Sequence, residues 1–428
     1  MKWRSLIVWG LLGIVLIFLA QNRHSRSGRF NYQSEIFSDK AGYQIYLSAF
    51  EYDWNARNFK DTALLRLSGY GFEATTEGKI LTKYTYGTAL AYSPFYLIGK
   101  GLEPKDENYP GFSVIQNRMI SLAAPIYLLI GLIFLYRFLR YTYRRNVSIW
   151  TLVLIGLGTN VLYYGVQETG MSHVYSFALF TVYLWFLRKT EYLKSEKKMH
   201  FFLLGMMIGW MIAIRQLNIV FPLVFFFLDL DADSFKQRWK RLFRFKNGLF
   251  VFLGVALLIL PQLVYWKYAS GHWIKYSYGE EGFDFLHPKI LAVWFSPYNG
   301  LFLYTPLVFF MLIGAWMMHK NKDLNGRVIW TIFLGLSFLF ASWWAWWFGC
   351  AFGARSFVEY YSLFSMGLAF LIQYIMEKRN VLRLFMMGTL IICAAYTLKM
   401  SFSVSPCYPG EKNWDWKAFP SELMAPMH

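Results

Sequence analysis

The sequence has few cysteines and few charged residues, and it lacks the short motifs of several common activities. Its three cysteines show no CxxC or metal-ligand spacing. It has no GxxxxGK[ST] phosphate loop and no GxGxxG after a predicted strand, so no pattern indicates direct nucleotide binding. It has no RNA-recognition, zinc-finger or helix-turn-helix pattern either, and its net charge of +18 comes from short basic loops. We therefore expect no cofactor, no metal and no nucleic-acid partner.

Apolar runs dominate the sequence. Hydrophobic residues make up 56% of the 428 residues, and charged residues only 16%. Aromatic residues, at 21%, cluster at the ends of the apolar runs, as Trp and Tyr do at bilayer interfaces. We predict an all-α polytopic membrane protein with about 11 transmembrane helices, a count that 10 to 13 would also fit. The apolar blocks are 5–20, 115–139, 149–165, 172–187, 200–214, 216–230, 247–265, 299–318, 328–344, 356–376 and 382–399.

The basic residues predict how these helices are oriented. With the N-terminus inside, the short loops rich in Lys and Arg all fall on the cytoplasmic side, as the positive-inside rule expects. The start of the chain resembles a signal sequence without a cleavage pattern, so we interpret it as an uncleaved anchor. The block 86–101 does not fit this orientation, because a full crossing there would move every later basic loop to the outer side. We interpret it as interfacial or re-entrant, with Pro94 breaking the helix, unless a further crossing within 112–139 compensates for it.

The predicted orientation places one long polar loop on the outer face. This loop, 21–114, belongs to a transmembrane domain over 1–400, and a short outer tail follows over 401–428. Other polar helix ends emerge on the same face, so we expect a site that opens outward from a multi-pass protein of a bacterial inner membrane. Cys350 and Cys407 can form a disulfide there if both face an oxidising compartment.

The outer loop holds the carboxylates that could carry chemistry. Asp39 is the first candidate, because a carboxylate there can take a proton from an acceptor hydroxyl that attacks a sugar carbon. Its alternative role is structural, since Ser38 and Asp39 both cap helices well. Glu51 and Asp53 are reserve catalytic candidates, and Tyr43 is a candidate for contact with substrate.

Three basic residues are candidates for binding a donor phosphate. Lys83 precedes a Gly turn and either binds phosphate or anchors its segment at the interface. Arg215 interrupts an apolar stretch and either snorkels or turns inward as a phosphate fork. Arg355 begins a late helix after small residues. It either pairs with Glu359 one turn later, or it faces a cavity and is oriented by Glu359.

Three further residues are candidates for binding acceptor or substrate. Glu168 and His173 flank a short outer loop, although a lone His at a helix start is often structural. Trp346 belongs to the Trp-rich segment 343–347, which is typical of an interfacial belt and could also form a stacking wall for a sugar or prenyl chain.

Four segments resemble the GT-C superfamily of integral membrane glycosyltransferases, which includes protein mannosyltransferases and the enzymes that attach aminoarabinose to lipid A. The paired prolines that follow the first loop in the mannosyltransferases are missing, and Thr85 and Tyr86 stand where they would fall. The four segments are Ser38-Asp39 with the aromatic run to Leu47, the Lys-Tyr-x-x-Gly-x-x-Leu-x-x-x-Pro-Phe block at 83–95, Ser-Pro-Tyr-Asn-Gly-Leu-x-x-Tyr-x-Pro at 296–306, and Gly-Ala-Arg-Ser-Phe at 353–357.

This resemblance implies an inverting transfer of a sugar from a polyprenyl-phosphate donor to an extracytoplasmic lipid, glycan or protein. It also implies Asp39 as the general base and Lys83 and Arg355 as ligands of the donor phosphate. Membrane lipids are the other expected partners. Two alternative hypotheses stay open. One is a non-enzymatic transporter or flippase of a lipid-linked or anionic substrate, although no internal repeat typical of transporters is visible. The other is a structural or assembly subunit with a degenerate site.

Overall fold

The computed structural model describes residues 3–25, 28–230, 234–405, 407–411 and 414–427, with side chains from residue 6 onward. The first two residues of the predicted anchor and residues 406, 412, 413 and 428 of the predicted tail lie outside the described residues. Helices account for nearly all of the regular structure that is described, and the predicted all-α class is confirmed.

The helices follow the apolar blocks closely. The N-terminal α-helices are α1 (Trp3–His24), α2 (Asp39–Ser48), α3 (Ala63–Leu67), α4 (Gly87–Leu102) and α5 (Val114–Leu139). The middle ones are α6 (Arg145–Gly158), α7 (Val161–Val166), α8 (His173–Lys189), α9 (Lys198–Ile214), α10 (Val224–Phe227), α11 (Phe235–Phe243) and α12 (Phe245–Ser270). The C-terminal ones are α13 (Ile290–Phe295), α14 (Leu301–Tyr304), α15 (Leu307–Lys320), α16 (Leu324–Ala341), α17 (Tyr361–Met376), α18 (Asn380–Ser401) and α19 (Phe419–Met424).

Short 3₁₀ helices and one hairpin complete the described structure. The 3₁₀ helices are Ala49–Tyr52, Ala56–Asn58, Gln216–Leu223 and Arg355–Tyr360. Strands β1 (Glu73–Ala74) and β2 (Ile80–Leu81) pair antiparallel inside the first outer loop, with Glu73 opposite Leu81.

Several helices have the length and composition of membrane spans. Within the described ranges, five stretches are long and apolar enough to cross a membrane: Leu6–His24, Val114–Leu139, Phe245–Ser270, Leu324–Ala341 and Asn380–Ser401. Four shorter apolar helical stretches are Arg145–Gly158, Lys198–Ile214, Gln216–Phe227 and Leu307–Lys320. Together with α8 and α17, these stretches coincide with the predicted apolar blocks. The chain is therefore an integral membrane protein with several helical spans.

Two apolar helices lie at the centre of the bundle. Almost every side chain of α8 and α17 is buried, which explains why both are apolar on all faces. α5 packs along α8, and α15 packs along α17. The peripheral helices α1, α12 and α18 instead expose many Leu, Ile, Val and Phe side chains, as helices in contact with lipid do.

The prediction that Pro94 breaks the helix in the block 86–101 is wrong. Pro94 lies inside the continuous helix α4. A proline removes one intrahelical hydrogen bond and leaves the carbonyl four residues earlier without its usual donor. Here that carbonyl belongs to Leu90, and the Ser93 hydroxyl donates to it over 2.8 Å. The side chain of Ser93 thus compensates for the missing N–H, as Ser does in membrane helices that contain proline.

Glycines let α15 and α17 approach each other closely. A Cβ at Gly314 would stand 1.9 Å from the carbonyl oxygen of Gly367, and a Cβ at Gly367 would stand 2.2 Å from that of Met311. Both obstacles are backbone atoms, so no side chain can move aside. The two helices must separate if either glycine is replaced.

We expect Gly314→Ala to destabilise the folded protein by about 1–3 kcal/mol, the usual range for overpacking. Gly335 provides the matched control, because it lies on the membrane helix α16 with nothing within 4 Å of an added Cβ. Thermal unfolding of both purified variants in one detergent checks this. A melting temperature lowered equally in Gly335→Ala and Gly314→Ala would contradict the close contact.

Candidate active site

One cavity of about 580 Å³ brings together polar residues from distant parts of the chain. It lies where the segment 21–114 meets the loops at 167–172 and 271–289 and the segment 343–355. Among the predicted site residues, its lining includes Asp39, Tyr43, Lys83, His173, Arg215 and Arg355.

A turn before α2 directs Asp39 into this cavity. Ser38 has a positive φ of 55°, so the chain reverses there immediately before the helix begins. Its N–H donates to the carbonyl of Ser68 over 2.7 Å, and Gly71 lies so close that an added Cβ would stand 2.1 Å from the Ser38 carbonyl oxygen. Asp39 is the first residue of α2, and Ser38 makes no side-chain capping bond. The alternative interpretation of Asp39 as a helix cap is therefore wrong.

The carboxylate of Asp39 has two partners across the cavity. Its Oδ2 lies 3.2 Å from Nη2 of Arg355, and its Oδ1 accepts a hydrogen bond from the hydroxyl of Tyr84. Burial by itself raises the pKa of Asp39, but the Arg355 guanidinium and the Tyr84 hydroxyl outweigh it and hold the pKa below the usual value of 3.8. The side chain is still 28% exposed, so a molecule in the cavity can reach it.

A second ion pair closes one side of the cavity. Nζ of Lys83 lies 2.9 Å from Oε1 of Glu281, which belongs to the loop between α12 and α13. The Ser277 hydroxyl of the same loop donates to the Lys83 carbonyl over 2.9 Å. Lys83 therefore connects this loop to the segment that precedes α4, while its ammonium still lines the cavity.

Arg215 enters the cavity from an interruption between two helical segments. Its extended backbone, with φ at −152°, separates α9 from the 3₁₀ helix that follows. Its Nη1 donates over 2.8 Å to Oε1 of Glu359, whose Oε2 lies 3.1 Å from Nδ1 of His173. Glu359 is only 1% exposed. The expectation that Glu359 pairs with or orients Arg355 is thus wrong, because Glu359 holds Arg215 and Arg355 instead pairs with Asp39.

Aromatic rings form much of the remaining wall. The rings of Tyr43 and Tyr84 lie 4.7 Å apart beside Asp39. In the Trp-rich segment, Trp343, Trp344 and Trp347 line the cavity, whereas Trp346 is buried outside the lining. The neighbours of Trp346 are therefore better placed than Trp346 itself to contact a ligand.

Besides Trp346, three predicted site residues lie apart from the cavity lining. Glu51 pairs with Lys100 over 2.6 Å, and Asp53 is exposed beside a separate apolar groove. Glu168 is buried, and its Oε2 lies 3.0 Å from Nζ of Lys40. Within the described ranges, no group of three or more His, Cys, Asp or Glu side chains is arranged to hold a metal ion.

A buried charge network behind the cavity holds the start of α2 in place. Lys40 also donates to the carbonyl of Tyr32 over 3.2 Å, and Oε1 of Glu35 lies 3.0 Å from Nδ1 of His24. The backbone N–H of Gly170 donates to Glu35 as well. The sequence analysis missed these residues, because no local spacing links them. The sequence offered one signal that could have found them, which is the group of charged residues between the end of α1 and the start of α2.

Cys350 and Cys407 are joined by a disulfide, which resolves the pairing that the sequence left open. The bond connects the segment before Arg355 to the chain beyond α18. The carbonyl of Cys350 also accepts a hydrogen bond from the Tyr32 hydroxyl over 2.8 Å. The disulfide therefore lies at the same end of the bundle as the cavity.

Comparisons with known proteins give one structural relative and no sequence relative. No protein-family model matches the chain, and no curated protein matches it. The fold is similar to the crystal structure of the oligosaccharyltransferase of Archaeoglobus fulgidus in the apo form, with a TM-score of 0.52 and 10% sequence identity. The match covers the whole of this chain and 57% of that chain, so this chain spans little more than half of its length. The chain therefore has a fold similar to that of this oligosaccharyltransferase.

We expect Asp39 to be ionised throughout the neutral range. Because its folded-state pKa is depressed, its ion pair stabilises the protein above the usual pKa of 3.8, and this contribution is lost as the pH falls through the lower folded-state value. Infrared difference spectra between the wild type and Asp39→Asn should show no protonated carboxyl band from Asp39 at neutral pH. A band present in the wild type and missing from Asp39→Asn at neutral pH would contradict the ion pair.

Proposed function

We propose that this protein is a membrane glycosyltransferase that moves a sugar from a polyprenyl-phosphate donor to an extracytoplasmic acceptor, with inversion at the sugar carbon. The observation that carries the proposal is the pairing of Asp39 with Arg355 inside a cavity that Lys83 and Arg215 also line. One carboxylate and three cations match a reaction that needs one base and an anionic leaving group. The GT-C-like fold supports the same class of activity.

The donor phosphate binds among the three cations in this mechanism. A guanidinium forms two parallel hydrogen bonds with a phosphate, and an ammonium acts as a point charge. Arg215 is held in place by the buried Glu359, whereas Arg355, among the residues that the structure describes, forms its ion pair with the partly exposed Asp39. An incoming phosphate therefore replaces Asp39 as the partner of the Arg355 guanidinium. Asp39 then loses the charge that depresses its pKa and becomes a stronger base once the donor is bound.

The chemical step is a single displacement. The acceptor oxygen or nitrogen attacks the sugar carbon from the face opposite the phosphate, and its proton passes to Asp39. The bond from the sugar carbon to the phosphate oxygen breaks, and the electron pair leaves with the polyprenyl phosphate. Lys83, Arg215 and Arg355 stabilise the charge that develops on that oxygen. Attack from the opposite face inverts the configuration of the carbon.

The aromatic wall suits the remaining parts of both substrates. Trp343, Trp344 and Trp347 offer rings for stacking on a sugar or for contact with a prenyl chain. Tyr43 and His173 line the same cavity as Asp39, and we assign them to acceptor binding. Glu168 stabilises the position of Asp39 indirectly, through Lys40 at the start of α2.

We place the cavity on the extracytoplasmic face of a bacterial inner membrane. The disulfide between Cys350 and Cys407 supports this orientation, because disulfides persist in oxidising compartments. The basic short loops support it independently through the positive-inside rule. In this topology residues 1–400 form the transmembrane domain, with the loop 21–114 outside, and residues 401–428 form an outer tail.

We expect Asp39→Asn to lower transfer by about 10²–10⁴-fold, the usual contribution of a general base. Asp53→Asn removes the same charge from an exposed side chain outside the cavity and should leave transfer unchanged. Both variants are assayed as proteoliposomes, with a polyprenyl-phosphate sugar and the acceptor lipids of the host membrane. Full transfer by Asp39→Asn would rule out the assignment.

Measuring the binding of sugar-free polyprenyl phosphate distinguishes the role of Asp39 as a base from the role of Arg355 as a phosphate ligand. Arg355→Gln should weaken this binding by about tenfold or more, since it loses a charged hydrogen bond. Asp39→Asn should bind at least as tightly as the wild type, because no carboxylate then competes for Arg355. Weaker binding by Asp39→Asn, or movement of the lipid across sealed vesicles without any transfer, would favour the transporter hypothesis.

The orientation has its own test in intact cells. A membrane-impermeant reductant followed by an impermeant maleimide should label Cys350 and Cys407, which the structure joins at the cavity end. Cys393 lies within α18 and serves as the internal control for permeability. Labelling of Cys350 and Cys407 only after the membrane is permeabilised would contradict the outward orientation.

A further inference from the structure

The short helix α11, far from the cavity lining, separates aromatic and basic side chains onto two sides. Phe235, Trp239 and Phe243 recur every four residues, so they lie along one side of the helix. The segment 234–246 also holds six basic residues and no acidic one. A short helix with this division is typical of a segment that lies in the plane of a membrane interface.

The aromatic residues of α11 form one exposed stripe. Phe235 is 41% exposed, Trp239 48% and Phe243 57%, although large aromatic side chains are normally buried in a folded protein. Their ring centroids lie 5.9 Å and 4.2 Å apart along the helix. Phe227, at the end of α10, is also exposed and packs on Phe235. The stripe therefore continues from the membrane-facing surface of the preceding helical segment.

The protein fixes α11 from its other side. The Arg238 guanidinium is fully buried and donates to the carbonyls of Phe225, Leu228 and Asp229 over 2.6–2.9 Å. Its charge also lies 3.6 Å from the ring centroid of Tyr192. A capping box between Ser234 and Gln237 fixes the start of the helix. The helix is therefore held in one orientation before any ligand binds.

Four of the remaining basic residues flank the aromatic stripe and are exposed, whereas Arg241 is half-buried and donates to the Tyr192 carbonyl. Lys236, Lys240 and Lys246 are exposed, and they form no ion pair with the acidic residues that the structure describes. Arg244 is exposed too, and it pairs with Glu196 over 2.8 Å. Lysines beside apolar rings at a bilayer surface attract the phosphates of anionic lipids.

We propose that α11 is a docking surface for anionic phospholipid, which inserts its aromatic stripe at the acyl–headgroup boundary and binds lipid phosphates through Lys236, Lys240 and Lys246. Three arguments favour a lipid over a soluble acidic partner. The apolar stripe continues a lipid-facing surface, the charge is complementary to anionic headgroups, and α12 enters the membrane immediately after the helix. The surface is separate from the cavity around Asp39, so the proposal does not depend on the proposed transfer reaction.

Lipid retention tests the charged half of the surface. The full chain is titrated in nonionic detergent with phosphatidylglycerol or phosphatidylcholine, and retained lipid is counted by native mass spectrometry. Replacing Lys236, Lys240 and Lys246 by Gln should weaken retention of phosphatidylglycerol by about tenfold or more and leave retention of phosphatidylcholine unchanged. The matched control replaces Lys60, Arg66 and Lys105 by Gln, three exposed residues of the first outer loop. Equal retention in both triple variants would overturn the proposal.

Spin-label accessibility tests whether the aromatic stripe inserts into the bilayer, and it distinguishes a lipid from a soluble partner. Trp239→Cys and Lys240→Cys are each labelled in a Cys393→Ser background, in bilayers of phosphatidylcholine and phosphatidylglycerol. The label at Trp239→Cys should collide with oxygen and be protected from a water-soluble nickel chelate, whereas the label at Lys240→Cys should be open to the chelate. Free access of the chelate to both positions would mean that the stripe meets water or a soluble partner, and the proposal would fail.

Discussion

The ion pair between Asp39 and Arg355 is the contact on which the rest of the site depends. It joins the segment 21–114 to a residue 316 positions later in the chain, inside a cavity that distant parts of the sequence line. Because each charge partly neutralises the other, the pair is stable in this partly buried position. In the proposed mechanism, an anion that binds Arg355 disturbs this balance, and the pair thereby links donor binding to the basicity of Asp39.

The charges around the cavity are paired, because an isolated charge at a protein–membrane boundary is costly. The pairs fall into two groups by exposure. Asp39, Lys83 and Arg355 are partly exposed to the cavity and can exchange their partners for a substrate. Glu359, Glu35 and Lys40 are almost fully buried, so their partners are fixed. The buried pairs therefore determine where the exposed charges stand.

Local patterns predicted the helices well and the charge pairs poorly. The length of an apolar run predicts the length of the helix, and its composition predicts that the helix is buried or faces lipid. Each predicted block therefore coincides with a helical segment. Pro94 misled the prediction because the neighbouring Ser93 hydroxyl compensates for the lost hydrogen bond. The separation of Glu359 from Arg355, despite their helical spacing, depends on where Arg215 enters from another helix. Such long-range pairings leave no periodic signal. The positions of Asp39 and Arg355 in the sequence and the resemblance to a known superfamily made both residues candidates, but neither predicted that they pair with each other.

The most direct test of the account is a structure of the full chain with sugar-free polyprenyl phosphate bound. The account predicts that the phosphate lies within hydrogen-bond distance of Arg355 and Arg215. It also predicts that the Asp39 carboxylate no longer contacts Arg355 and faces open space in the cavity. A phosphate bound elsewhere, with the pair of Asp39 and Arg355 unchanged, would contradict it.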